Sequence, residues 1–170
     1  MFLASLSRLA RLLALGCCLL PALAAAQTLR IGTQYELNTL DPHFFASFPP
    51  GTSHSYIYDR LVAMDDDLNM VPGLTLSWEP LDATTWEFKL REGVTFHDGS
   101  TFDAEDVVAT FNRVPNVPDS PNSFAKYVQG IESVETPAPY TLIINTSEPV
   151  PTLPRLLTNV LVIRAEDEDT

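Results

Sequence analysis

From Thr85 to Leu90 the chain alternates apolar and polar residues with period two. Trp86, Phe88 and Leu90 fall on one face, and Thr85, Glu87 and Lys89 on the other. That period predicts a strand with one buried face. Arg91-Glu92-Gly93 breaks the alternation, and Gly93 can take the positive φ that a turn needs. Val94 and Phe96 resume an apolar face, and His97-Asp98-Gly99 is a second turn signal. Asp103 then precedes Ala104-Glu105-Asp106. One carboxylate can cap a helix there while another stands at its third position, a variant capping box with acids at the positive end of the helix dipole. Val107, Val108 and Phe111 share the helix's apolar face, and Pro115 stops it. Two short strands, a tight turn and a capped helix thus follow one another between Leu76 and Arg113 without a spare residue.

The first 26 residues have a different logic. Arg8 and Arg11 form a basic start, Leu12 to Leu20 is an apolar run, and Ala24-Ala25-Ala26 offers small residues for cleavage. This is the pattern of a secretory signal peptide, and it is too short for a membrane span. Cleavage is expected after Ala26, leaving residues 27–170; an uncleaved anchor is the competing reading. Cys17 and Cys18 are the only cysteines and both lie in this segment, so the mature chain has no thiol for a disulfide or a metal. Lipidation at Cys17 is a second competitor, but Ala14-Leu15-Gly16-Cys17 lacks the leucine usual three residues before a lipidated cysteine. Cleavage after Ala26 removes two of ten basic residues and none of the 22 acids, which takes the net charge from −12 to −14. So acidic a surface repels phosphate backbones and anionic headgroups, which argues against nucleic acid as a partner.

The rest of the chain reads in order. Leu29 to Tyr35 alternates like an opening strand. Glu36 to Pro50 is irregular, with turns at Asp41-Pro42 and Pro49-Pro50. Ser53 to Ala63 carries Ile57, Leu61 and Val62 at helical spacing. Asp65-Asp66-Asp67 is a turn and lacks the spacing and glycine of a calcium loop. Val114 to Asn122 is a proline-rich loop, and Phe124 to Val128 a short helix. Ile131 to Glu135 and Tyr140 to Thr146 are two strands joined at Pro137-Ala138-Pro139. Pro149 to Pro154 is an irregular turn, followed by an apolar stretch from Leu156 to Ile163.

No catalytic constellation is visible. His43, His54 and His97 form no zinc-helix pair, and there is neither a nucleophile elbow nor a phosphate loop. His97 reads as a surface or turn-stabilising residue. Trp78 and Trp86 read as core rather than as sugar-stacking platforms. The expectation is a protein that is not an enzyme and uses no cofactor and no metal.

The segments Ser77-Trp78-Glu79, Trp86 to Val94, Phe96-His97-Asp98-Gly99 and Phe102 to Val108 closely resemble the extracellular solute-binding proteins of family 5. Leu40-Asp41-Pro42 upstream, and Ile131 to Val134 and Pro139 to Leu142 downstream, extend the resemblance over the mature chain. These proteins are the substrate-binding subunits of ABC importers for peptides, nickel and related solutes. The resemblance implies an α/β (mixed α+β) fold: the N-terminal part of the first lobe of a two-lobed, type II-like periplasmic binding protein, with the second lobe absent. It also implies a short hairpin ending at Met70-Val71-Pro72. The middle of the chain is expected to form a semi-independent subdomain, with Trp86, Phe88, Leu90 and Tyr140 to Ile144 in its core beside Val107 and Phe111. Members of the family are much longer, and the chain is read as an N-terminal fragment of one.

In the resembled family the loop after the first strand faces the ligand cleft. Tyr35, Glu36, Leu37 and Asn38 hold that place here. Such a loop can pair with the free N–H and C=O groups of an extended peptide, and Glu36 could meet a ligand ammonium. Glu36 is equally readable as a solvated acid, and Tyr35 as core. Phe124 falls where family members face the pocket from the first lobe; packing of its short helix is the alternative. The implied partners are a small peptide or other small solute and ABC permease subunits in the inner membrane, and the implied place is the periplasm. The competing function is a non-transporting remnant without ligand, or a family member for nickel chelates, opines or oligosaccharides.

Overall fold

The computed structural model describes Arg30, residues 39–46 and residues 54–168. The expected cleavage site, the expected opening strand apart from Arg30, and residues 35–38 lie outside these residues. All described residues but Arg30 belong to one unit, residues 37–170.

The fold is mixed α+β, and its centre is the sheet that the alternation predicts. Strands β1 (Val62–Met64) and β2 (Met70–Pro72) form a small antiparallel hairpin. Strands β3 (Thr75–Pro80), β4 (Thr85–Leu90), β5 (Ile131–Ala138) and β6 (Thr141–Thr146) form an antiparallel sheet in the order β3-β4-β6-β5. Within it Trp86 stands opposite Ile144, and Phe88 opposite Leu142. Phe88, Leu90, Leu142 and Ile144 are fully buried or nearly so. They share one core with Val107 and Phe111 of helix α1 (Ala104–Arg113), as the pattern requires.

Helix α1 begins where the carboxylates place it. Asp103 accepts the Glu105 amide at 2.9 Å, and Asp106 accepts the Asp103 amide at 2.9 Å. Each orphan donor of the first turn that finds such a partner stabilises the helix by about 1 kcal/mol. The Ala104 amide bonds the Pro139 carbonyl at 2.9 Å, which ties the helix start to the β5–β6 turn. The helix gives way to a 3-10 turn, Val114–Asn116, at Pro115. Gly93 turns the chain at φ 72°, as expected.

Three expectations need correction. Of the stretch from Ser53 to Ala63, the described residues 54–63 form no α-helix: His54–Tyr56 forms a single 3-10 turn, and the chain then extends into β1. The Leu61 carbonyl is taken by the amides of Gly73 and Thr75, both at 3.1 Å, and by the Thr75 hydroxyl at 2.8 Å. Tertiary hydrogen bonds therefore win over local helical spacing. This close passage needs Gly73, where a Cβ would lie 2.2 Å from the Arg60 carbonyl oxygen. Second, Val94 and Phe96 form no strand. They pack half-buried on the core, and only Thr95 bridges to Thr101. Third, the stretch around Pro154 is not wholly irregular, because α2 (Leu153–Leu157) forms there with Pro154 in its first turn, a position that needs no amide donor.

The hairpin implied at Met70-Val71-Pro72 is β1–β2, and Asp65 shapes its turn by accepting the amides of Asp67 and Asn69. Phe124–Tyr127 is the expected short helix, in 3-10 form. Strand β5 is longer than expected and runs to Ala138 through an irregularity between Glu135 and Ala138.

Candidate ligand-facing site

Of the five residues expected at a ligand site, Tyr35, Glu36, Leu37 and Asn38 lie outside the described residues. Phe124 opens its 3-10 turn beneath a Ser123 cap, whose hydroxyl accepts the Ala125 amide at 3.0 Å. The Phe124 ring is 4% exposed. Its centroid lies 5.8 Å from that of Tyr127 and 6.1 Å, edge-on, from that of His43. Phe124 thus packs against His43, one member of a polar node that also holds Asp41 and Arg113.

That node joins three distant parts of the chain. Arg113, at the end of α1, donates to both oxygens of Asp41, at 2.9 and 2.8 Å. The same guanidinium lies 3.0 Å from His43 Nδ1, and His43 Nε2 lies 2.7 Å from the Leu161 carbonyl. A guanidinium only donates and a carbonyl only accepts, so the neutral ring must carry its proton on Nε2. Burial by itself would raise the Asp41 pKa; the Arg113 hydrogen bonds and the His43 amide outweigh it and hold the carboxyl below its ordinary range. A bidentate pair of this kind fixes orientation as well as charge.

Helix α1 also grips the extended segment beyond α2. Asp106, Thr110 and Arg113 lie on one face of the helix, spaced by four and three residues. The Asp106 carboxylate accepts the Ala165 amide at 2.8 Å, and the Thr110 hydroxyl accepts the Ile163 amide at 3.0 Å. Arg113 reaches Leu161 through His43. Ile163 and Ala165 are therefore held by side chains of the helix and Leu161 by His43, while Leu161 also bridges Arg60 and the Val162 amide bonds the Asp59 carbonyl at 2.8 Å. Burial pushes the Asp106 carboxyl above its ordinary pKa despite its two amide donors.

On the other side of this segment lies a groove of about 450 Å³. Leu74, Phe96, Phe102 and Val162 line it, with the protruding Tyr56 and Ile57 at its rim. Arg164 stands at its mouth, paired with Asp98, Glu166 and Asp167. His97 is exposed and meets the Ile57 carbonyl at 3.0 Å, so its ring ties this turn to the 54–57 segment. Trp86 is buried and Trp78 packs half-buried against the core.

Sequence reasoning singled out Asp41 as a turn residue and as part of the family resemblance, weighed His43 only as a metal ligand, and gave Arg113 no role. The Asp41–Arg113 pair spans 72 residues, and no local pattern announces it. Among the described residues there is no group of three His, Cys, Asp or Glu that could hold a metal ion, and no helix long and apolar enough to cross a membrane.

Comparison with known proteins places this architecture. The family model for bacterial extracellular solute-binding proteins, family 5 Middle, matches residues 69–170. The periplasmic oligopeptide-binding protein OppA of Escherichia coli (strain K12) is 31% identical over 152 residues, covering 79% of this chain and 28% of that protein. The structure of Burkholderia pseudomallei OppA shares the fold at a TM-score of 0.69 and 23% identity, covering 75% of this chain and 28% of that one. NikA from Brucella suis, in complex with Fe(III)-EDTA, aligns at a TM-score of 0.64 and 29% identity, covering 77% of this chain and 27% of that one. The chain thus spans little more than a quarter of the length of the first curated relatives it matches. With the family model matched over residues 69–170 and the same sheet-and-helix unit in solved relatives, the chain belongs to the bacterial extracellular solute-binding proteins of family 5.

Proposed function

We propose that this chain supplies part of the first lobe of a periplasmic substrate-binding protein that captures peptides for an ABC permease in the inner membrane. The observation that carries the reading is its similarity, through most of its length, to a protein named as a periplasmic oligopeptide binder. In this reading residues 1–26 are a signal peptide removed after Ala26, and residues 27–170 are the family's N-terminal part. Tyr35, Glu36, Leu37 and Asn38 face the cleft in this reading, and Phe124 faces the pocket from the first lobe. The role is capture and release, with no chemistry done on the ligand.

A chelate or opine is the second reading, favoured by the similarity to a binding protein whose structure holds Fe(III)-EDTA. Both readings are tested by a chimera in which residues 27–170 replace the corresponding segment of the Escherichia coli relative. Cooperative unfolding of the chimera first establishes that it folds. Titration with tri- to pentapeptides should then recover binding. A folded chimera that binds a metal chelate or an opine and no peptide moves the assignment to the second reading, and one that binds none of the three overturns both.

A further inference from the structure

The joint around His43 is the one place where a buried titratable ring holds three separate parts of the described chain. The ring springs from the 39–46 loop, whose Asp41 accepts the His43 backbone amide at 2.9 Å, and it reaches helix α1 through Arg113 and the 161–165 segment through the Leu161 carbonyl. The geometry admits one protonation state. Nδ1 accepts from a guanidinium, so it must be bare; Nε2 faces a carbonyl, so it must carry hydrogen.

We propose that His43 is a proton-sensitive latch, whose neutral ring fastens the 39–46 loop and the 161–165 segment to helix α1 and whose protonation on Nδ1 loosens that joint. A proton on Nδ1 would point at Arg113 Nη1, which lies 3.0 Å away and has no acceptor to offer. It would also place a second positive charge beside the guanidinium, on a ring that is itself 0% exposed. Ring and guanidinium must then separate, and the ring cannot move without straining its bond to Leu161 or its edge contact with Phe124.

The groups that face the ring decide where the latch trips. Burial is the largest influence and lowers the ring's pKa; the Leu161 carbonyl raises it, Arg113 lowers it, Asp41 raises it and His54 lowers it, with the outcome about 4. Tyr58 donates its hydroxyl to the neighbouring Leu40 carbonyl at 3.2 Å; burial raises its pKa, and the Asp41 charge raises it further. Leu161 and Phe124 bring no titratable group. Asp41 is the one acid among them, and it is already committed to both arms of Arg113. The inference concerns residues 39–165 alone and stands whether or not the chain captures peptides.

The test is hydrogen exchange of the full chain, expressed as protection factors, between pH 7 and pH 3.5, alongside nitrogen shifts of the histidine rings. At neutral pH the His43 ring should show a bare Nδ1 and a protonated Nε2. As it takes its second proton, protection of the Ala46, Val162 and Ile163 amides should fall at least about tenfold, while Phe88 and Ile144 in the sheet stay protected. In His43→Gln, whose amide keeps one acceptor and one donor and takes no proton, that step should vanish. A Nδ1–H tautomer at neutral pH overturns the proposal without any variant. So does the same pH step in folded His43→Gln, which would make Asp41 or Asp106 the sensor, or ring protonation that leaves Ile163 unchanged.

Discussion

Thr110 receives the Ile163 amide at 3.0 Å and gives its own proton to the Asp106 carbonyl at 2.7 Å. One hydroxyl thereby pins a distant extended segment to the middle of α1, where both partners are buried. Thr110→Val keeps the shape and removes the acceptor. The Ile163 N–H is then left buried and unpaired, and stability should drop by about 1–3 kcal/mol. Thr110→Ser keeps the hydroxyl and should lose less than about 1 kcal/mol, roughly one methyl group. Urea unfolding of the three proteins checks the order; equal losses for valine and serine would make the effect one of packing alone.

Trp86 tests the core of the sheet. Its ring is 9% exposed and lies 6.5 Å, centroid to centroid, from Phe88. Trp86→Ala should cost about 3–5 kcal/mol, transfer energy plus the cavity left behind. A near-unchanged unfolding midpoint would mean that this face is not the core, and would turn attention to a ligand-stacking role.

The parts that could be read from the sequence are those whose cause is local. Period two from Thr85 to Leu90 names a strand because neighbouring side chains in a strand point to opposite faces. Asp103 and Asp106 name a helix start because their partners are amides two and three residues away. The segment from Ser53 to Ala63 misleads for the opposite reason. Its apolar spacing fits a helix, yet the Leu61 carbonyl is claimed by Gly73 and Thr75 across the hairpin. Of the candidate site, Phe124's short helix was legible and its neighbour was not. His43 becomes a neighbour only once α1 and the 161–165 segment close around it.

His43 also makes stability depend on pH, with a definite sign. Its pKa falls from 6.5 unfolded to about 4 folded, so between these values the unfolded chain binds the extra proton and the native chain does not. Stability is therefore full above about pH 6.5 and declines as pH falls toward 4, by roughly 3 kcal/mol. Asp41 adds a loss of the same sign, since its folded pKa is lowered and its pairing fades on protonation. Denaturant midpoints at pH 7 and pH 4 should differ more in the natural chain than in His43→Gln. An equal difference in the two would remove His43 from the account.

The N-terminus is tested by processing. The basic start, apolar run and triple alanine should direct export, and the exported chain should begin at Gln27. N-terminal sequencing of the secreted product decides it. A chain that begins at Cys17 or Cys18 with a lipid attached would replace a free periplasmic protein with a membrane-anchored one.

The last prediction concerns what residues 27–170 can do alone. A binding protein that encloses its ligand between two lobes needs both walls of the cleft to bury most of the ligand's surface. In the reading proposed above, Tyr35 to Asn38 and the Phe124 side supply part of one wall. The chain spans 28% of its oligopeptide-binding relative. Alone it should bind no di- to pentapeptide tighter than about millimolar, roughly −4 kcal/mol. Isothermal titration of residues 27–170 against a mixed peptide library measures this. Micromolar affinity would place the whole site within these residues and end the two-walled reading. In the chimera, where the second wall is restored, Glu36→Ala should weaken peptide binding if the loop reads the ligand's ammonium. Unchanged affinity there would return Glu36 to the role of a solvated loop acid.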